Sequence, residues 1–80
     1  MDSLLNDLMA RIAVSPDVMV GKPCIRGTRI TVEHVLREIS QGATVAELLG
    51  QYPRLTEEDV RAALAYAADY IRHEAILAAE

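Results

Sequence analysis

The sequence predicts a small, mostly helical domain of helix-turn-helix type, preceded by a short β-hairpin or extended arm. Three observations carry this. Apolar residues recur at helical spacing from residue 32 onward. Thr31, Thr44 and Thr56 each stand where a helix would begin. Before them, "GKPCIRGTRI" has the glycine and proline of a turn and no helical period.

The elements follow in order. Leu4, Leu5, Leu8, Met9 and Ile12 have helical spacing, so residues 3–10 can form a short amphipathic helix. Ser15-Pro16-Asp17 ends that segment. Residues 18–30 read as extended structure broken by turns, because Pro23 forces Lys22 into an extended conformation. Ile25 and Ile30 flank Arg26-Gly27-Thr28-Arg29, which suggests two short arms around a turn at Gly27 with positive φ.

Val32, Val35, Leu36 and Ile39 follow the i, i+3, i+4, i+7 pattern and predict a helix over 32–40, capped by Thr31 and closed by Gly42. Thr44-Val-Ala-Glu47 is a capping box for a second helix over 44–51, with Val45, Leu48 and Leu49 inward and Gly50 and Pro53 as stops. Thr56-Glu-Glu-Asp59 opens a third helix that runs to about residue 77, its acidic first turn suited to the helix dipole. Val60, Leu64, Ala67 and Ile71 make one apolar stripe along it. Tyr66, Tyr70, His73 and Leu77 make a second. One stripe suffices to dock a helix on so small a core. The second therefore points either to an interface or to a helix wrapped by residues 1–14.

Eighty residues make one domain: an N-terminal segment 1–14, an arm 18–30 and a helical core 31–77. A chain of this size buries only roughly 60–65% of its unfolded surface, so a homodimer is expected to add stability. Cys24 is the only cysteine, which excludes an intrachain disulfide and reads as a small buried side chain. No apolar run approaches the roughly 20 residues of a membrane span, and the N-terminus lacks a signal-peptide pattern, so a cytoplasmic protein is expected. No catalytic triad, paired-carboxylate arrangement or phosphate loop stands out. His34 and His73 lack partners at metal-ligand spacing. Neither an enzyme nor a cofactor or metal site is expected.

The net charge is −4, yet Lys22, Arg26, Arg29 and Arg37 gather half of the eight basic residues into 16 positions. Residues 1–40 carry no net charge, and residues 41–80 carry all of the excess acid. Any contact with a polyanion must therefore be local. In a helix-turn-helix domain the third helix reads DNA with its N-terminal turn. Here that turn holds Glu57, Glu58 and Asp59, which phosphates would repel, with only Arg61 and Arg54 to oppose them. Three readings of the basic arm stand side by side. Its arginines pair with acidic groups of the same protein; or they touch DNA phosphates; or they meet an acidic protein partner.

Three stretches, "GKPCIRGTRITVEHVL", "QGATVAELL" and "YPRLTEEDVRAALAYAA", closely resemble a bacterial family, domain of unknown function four-three-three, placed in the helix-turn-helix superfamily. The resemblance covers residues 11–68. Just upstream, "VMVGKP" lacks the second glycine often seen before GKP. The resemblance implies an antitoxin, a partner that sequesters a PIN-type nuclease toxin encoded nearby; operator DNA is a second candidate target. Such nucleases carry a cluster of metal-binding carboxylates, to which an arginine can be offered in place of the metal. Read from the charge pattern and the second stripe, the candidate DNA or toxin contacts are Lys22, Arg26, Arg29, Arg37 and Arg61, with Tyr66, Tyr70, His73 and Leu77 as a candidate interface. The alternatives are a stand-alone DNA-binding regulator and a dimeric interaction module that binds no DNA.

Overall fold

A computed structural model describes the backbone of residues 2–79 and the side chains of residues 5–74. The order is α1 (Asp2–Met9), β1 (Ile12–Ala13), a 3₁₀ turn (Met19–Gly21), β2 (Cys24–Ile25), α2 (Val32–Ser40), α3 (Val45–Gln51) and α4 (Glu57–Ala79). The chain is mostly helical, with one two-stranded antiparallel sheet near its N-terminus.

The three later helices begin within one residue of the expected positions because their caps are local. The Thr31 hydroxyl accepts from the His34 N–H. Thr44 and Glu47 exchange side-chain and backbone hydrogen bonds in a full capping box. Thr56 and Asp59 do the same for α4, at 3.0 and 3.1 Å. Gly50 does not stop α3, as expected, but lies inside it. The helix ends one residue later, where the Tyr52 N–H donates to Leu48 O and Pro53 follows. Val45, at the first position of α3, is exposed rather than inward.

The arm folds more tightly than the sequence suggests. The Thr28 N–H donates to Ile25 O at 3.0 Å and the Ile25 N–H to Ile30 O at 2.9 Å, which closes a turn with Gly27 at φ +80°. That is the third position of a type II turn, where glycine is favoured. Regular strand pairing, however, joins Cys24–Ile25 to β1, with Ile12 opposite Ile25 and Ala13 opposite Cys24. Ile12 is therefore a buried strand residue, not the last of a helical stripe. Residues 19–21 are not extended: Met19, Val20 and Gly21 have φ of +49°, +57° and +78°.

The core gathers Ile12 and Ile25 from the sheet, Val35 from α2, Leu48 from α3, and Val60 and Ala63 from α4. The buried face of α4 differs from the expected stripe. Val60 is buried, but Leu64 is 46% and Ile71 65% exposed. Asp59, Ala62 and Ala63 are buried in their place, on the helix against which both α1 and α2 pack. Burial then fades at Tyr66 and Ala67, and every residue from Ala68 to Glu74 is exposed. Leu4 and Leu77 belong to expected apolar stripes, but their side chains lie outside the described residues. Among the described residues, no helix is long and apolar enough to cross a membrane.

Candidate functional site

The basic arm is sorted by its contacts. Lys22 Nζ lies 3.3 Å from Glu33 Oε1, and an Arg37 terminal nitrogen lies 2.7 Å from Glu33 Oε2. The hydrogen bond from Lys22, its charge and then that of Arg37 hold the Glu33 carboxyl below its usual range. All three side chains are largely exposed, so these pairs contribute little to stability. Their effect is to neutralise part of the positive charge at the start of α2.

Arg26 is exposed, but its side chain is held against backbone carbonyls. Its Nε donates to Ala10 O at 2.7 Å and a terminal nitrogen to Ile12 O at 3.3 Å. Its own N–H donates to Arg11 O at 2.7 Å. This arginine thus fastens the end of α1 and the start of β1 to the hairpin.

Arg29 differs from the other three. It is exposed and makes no hydrogen bond or ion pair among the described residues. Gly27 and the hydrogen bonds around Thr28 hold it on a stiff turn: Thr28 Oγ1 donates to Ile25 O and accepts from the Ile30 N–H. Arg54, from the loop between α3 and α4, is also exposed and without such a partner. Arg29 and Arg54 together border two adjoining clefts of about 470 and 290 Å³. Arg61 is exposed on α4 and borders neither cleft.

The first turn of α4 divides its three carboxylates. Asp59 is buried and accepts from Arg11 at 3.1 Å as well as from the Thr56 N–H. Glu57 and Glu58 remain exposed. Sequence reasoning missed the Arg11–Asp59 pair, since 48 residues separate the two. It also missed the contact of His34 Nε2 with the Tyr52 hydroxyl, 2.6 Å, which links α2 to the end of α3.

A second surface lies along α4. Tyr66 is half-buried, while Tyr70 and His73 are exposed, and His73 Nε2 lies 3.8 Å from Asp69 Oδ2. Beside them a groove of about 590 Å³ runs between α2 and α4, walled by Val32, Leu36, Tyr66, Tyr70 and Ile71 and edged by Lys22 and Arg37. Cys24 is buried, its thiol 3.3 Å from Lys22 O. Among the described residues, no three His, Cys, Asp or Glu side chains are grouped to hold a metal ion.

A family model described as "Protein of unknown function (DUF433)" matches residues 12–67. An uncharacterized protein, y4eO, of Sinorhizobium fredii (strain NBRC 101917 / NGR234) is 38% identical over 66 residues. That match takes in 79% of this chain but 30% of the relative, so the chain spans under a third of that protein's length. The crystal structure of a DUF433 member protein from Anabaena variabilis ATCC 29413 superposes with a TM-score of 0.74 at 35% identity, over 99% of this chain and 81% of that one.

Proposed function

The chain belongs to the DUF433 family of proteins of unknown function, and on that premise we propose that it is a binding module of the antitoxin kind. Its partner in this reading is an acidic protein, a PIN-type nuclease encoded nearby, as the family resemblance implies. The chain does no chemistry of its own and works in the cytoplasm as a homodimer.

The observation that carries this reading is the bare pair Arg29 and Arg54. Arg11, Lys22 and Arg37 have carboxylate partners within the chain, and Arg26 has backbone carbonyls. Two guanidinium groups beside shared clefts, left unpaired in a protein of net charge −4, suit a counter-charge from outside. Guanidinium matches carboxylate through two parallel hydrogen bonds, so a compact carboxylate cluster fits them better than a diffuse acidic surface.

Co-expression with the product of the neighbouring gene tests the reading. The expected result is a complex that survives gel filtration at moderate salt. Arg29→Ala should weaken it by about 2–5 kcal/mol, the usual loss for a buried interfacial charge. Arg72→Ala, late on α4, should weaken it far less. A chain that ignores the neighbour's product yet binds its own promoter tightly would be a stand-alone regulator instead.

DNA contact is a second reading, and the same two arginines favour it. Helices α2, α3 and α4 follow one another in helix-turn-helix order, but exposed Glu57 and Glu58 stand at the turn that would meet phosphates. Any operator binding is therefore assigned to the hairpin. Two phosphate contacts would give a log–log salt slope of about −2. A much steeper slope that ignores Arg29 and Arg54 would return DNA contact to α4.

A further inference from the structure

We propose that the groove between α2 and α4 is filled by the α4 helix of a second copy, the two helices crossing near Tyr70 and Ile71 about a two-fold axis. This rests on the homodimer stated above only for the number of copies; the face and its geometry are new.

Helix α4 has 23 residues and is about 34 Å long at 1.5 Å per residue. The molecule measures 42 Å along its long axis and only 29 and 27 Å across. α1, α2 and α3 pack against this helix, and among the described residues the stretch Ala68–Glu74 is exposed throughout. On that stretch Tyr70 is 58% and Ile71 65% exposed. Apolar side chains on two free helical turns favour burial, and tyrosine is enriched at interfaces.

The occupant follows from shape and charge. Tyr70 and Ile71 are at once the exposed ridge and one wall of the groove. Ridge and groove are thus contiguous on one molecule, and a two-fold axis through them places each ridge in the other copy's groove. That self-complementarity is what an isologous contact requires. Ala67 and Ala68 add little bulk where the helices would approach. The groove edge carries Lys22 and Arg37 against a single Glu33, a surplus of one positive charge. The free stretch carries Asp69 and Glu74 against Arg72, a surplus of one negative charge. The two surfaces are therefore of opposite sign, as docking of one on the other needs.

Sedimentation equilibrium on the full chain, with two sets of variants, tests the proposal. The wild type should be a dimer. Ile71→Glu should raise the dissociation constant by roughly tenfold or more, with helical content by circular dichroism retained at high protein concentration. Oxidised Tyr70→Cys should form a disulfide-linked dimer, because residues near the axis come within bonding distance of their own copies. Val20→Cys, 93% exposed and not among the residues that line the groove, should not. A wild type that stays monomeric at its highest soluble concentration overturns both the homodimer and this face. A dimer indifferent to Ile71→Glu, or one linked by Val20→Cys and not by Tyr70→Cys, overturns the face and leaves the homodimer. A monomer whose Ile71→Glu variant no longer captures the neighbour's product gives the groove to that partner and overturns the proposal.

Discussion

Gly27 and Val20 share a left-handed backbone, but only one of them is a glycine. At Gly27 a Cβ would meet nothing within 4 Å, so any penalty there is backbone strain rather than collision. Gly27→Val should cost about 1–3 kcal/mol. Val20, with φ +57° and its side chain 93% exposed, already bears that strain without a compensating contact. Val20→Gly should raise stability by about 0.5–1 kcal/mol, the relief of strain less the extra freedom glycine has when unfolded. Urea denaturation of both variants checks this pair of opposite signs. A stable Gly27→Val or a weakened Val20→Gly would contradict the backbone account. The turn at Gly27 was legible because glycine between two arms has a local cause. The fastening role of Arg26 was not, because its acceptors, Ala10 and Ile12, lie 16 and 14 residues away.

At the scale of elements, the helix starts were legible and the faces less so. A cap is a relation between residues three apart, so Thr31, Thr44 and Thr56 declared themselves. A two-residue strand has no period, and β1 exists only because β2 lies beside it. The face of α4 was misplaced because periodicity weighs leucine above alanine. The buried positions instead include Ala62 and Ala63, on a helix against which α1 and α2 pack. The α3 capping box gives a pH test. The Thr44 N–H, and then its side chain, hold the Glu47 carboxyl below its usual value. A carboxyl depressed by folding contributes stability above its unfolded pKa, about 4.3, and that contribution is lost as pH falls through the lower folded value. Glu47→Gln can keep the cap hydrogen bond without the charge. Melting curves of this variant should therefore lose less stability on acidification than wild type does. Equal losses would contradict the cap as the cause.

At the scale of the molecule, the chain has two unlike surfaces. One is the stiff hairpin with Arg29 beside Arg54; the other is the apolar flank of α4. The sequence disclosed the crowding of positive charge into residues 22–37. Which charges stay free was hidden, since Glu33 takes two of them and Arg54 joins Arg29 from 25 residues away. The most direct test of the binding-module account is calorimetric titration of the purified chain into the product of the neighbouring gene, with wild type and with an Arg29→Glu/Arg54→Glu variant. The account predicts saturable binding by wild type, weakened at least about a hundredfold by the double reversal, as loss of close charge pairs would give. Binding of undiminished strength by the variant, or none by wild type, would contradict it.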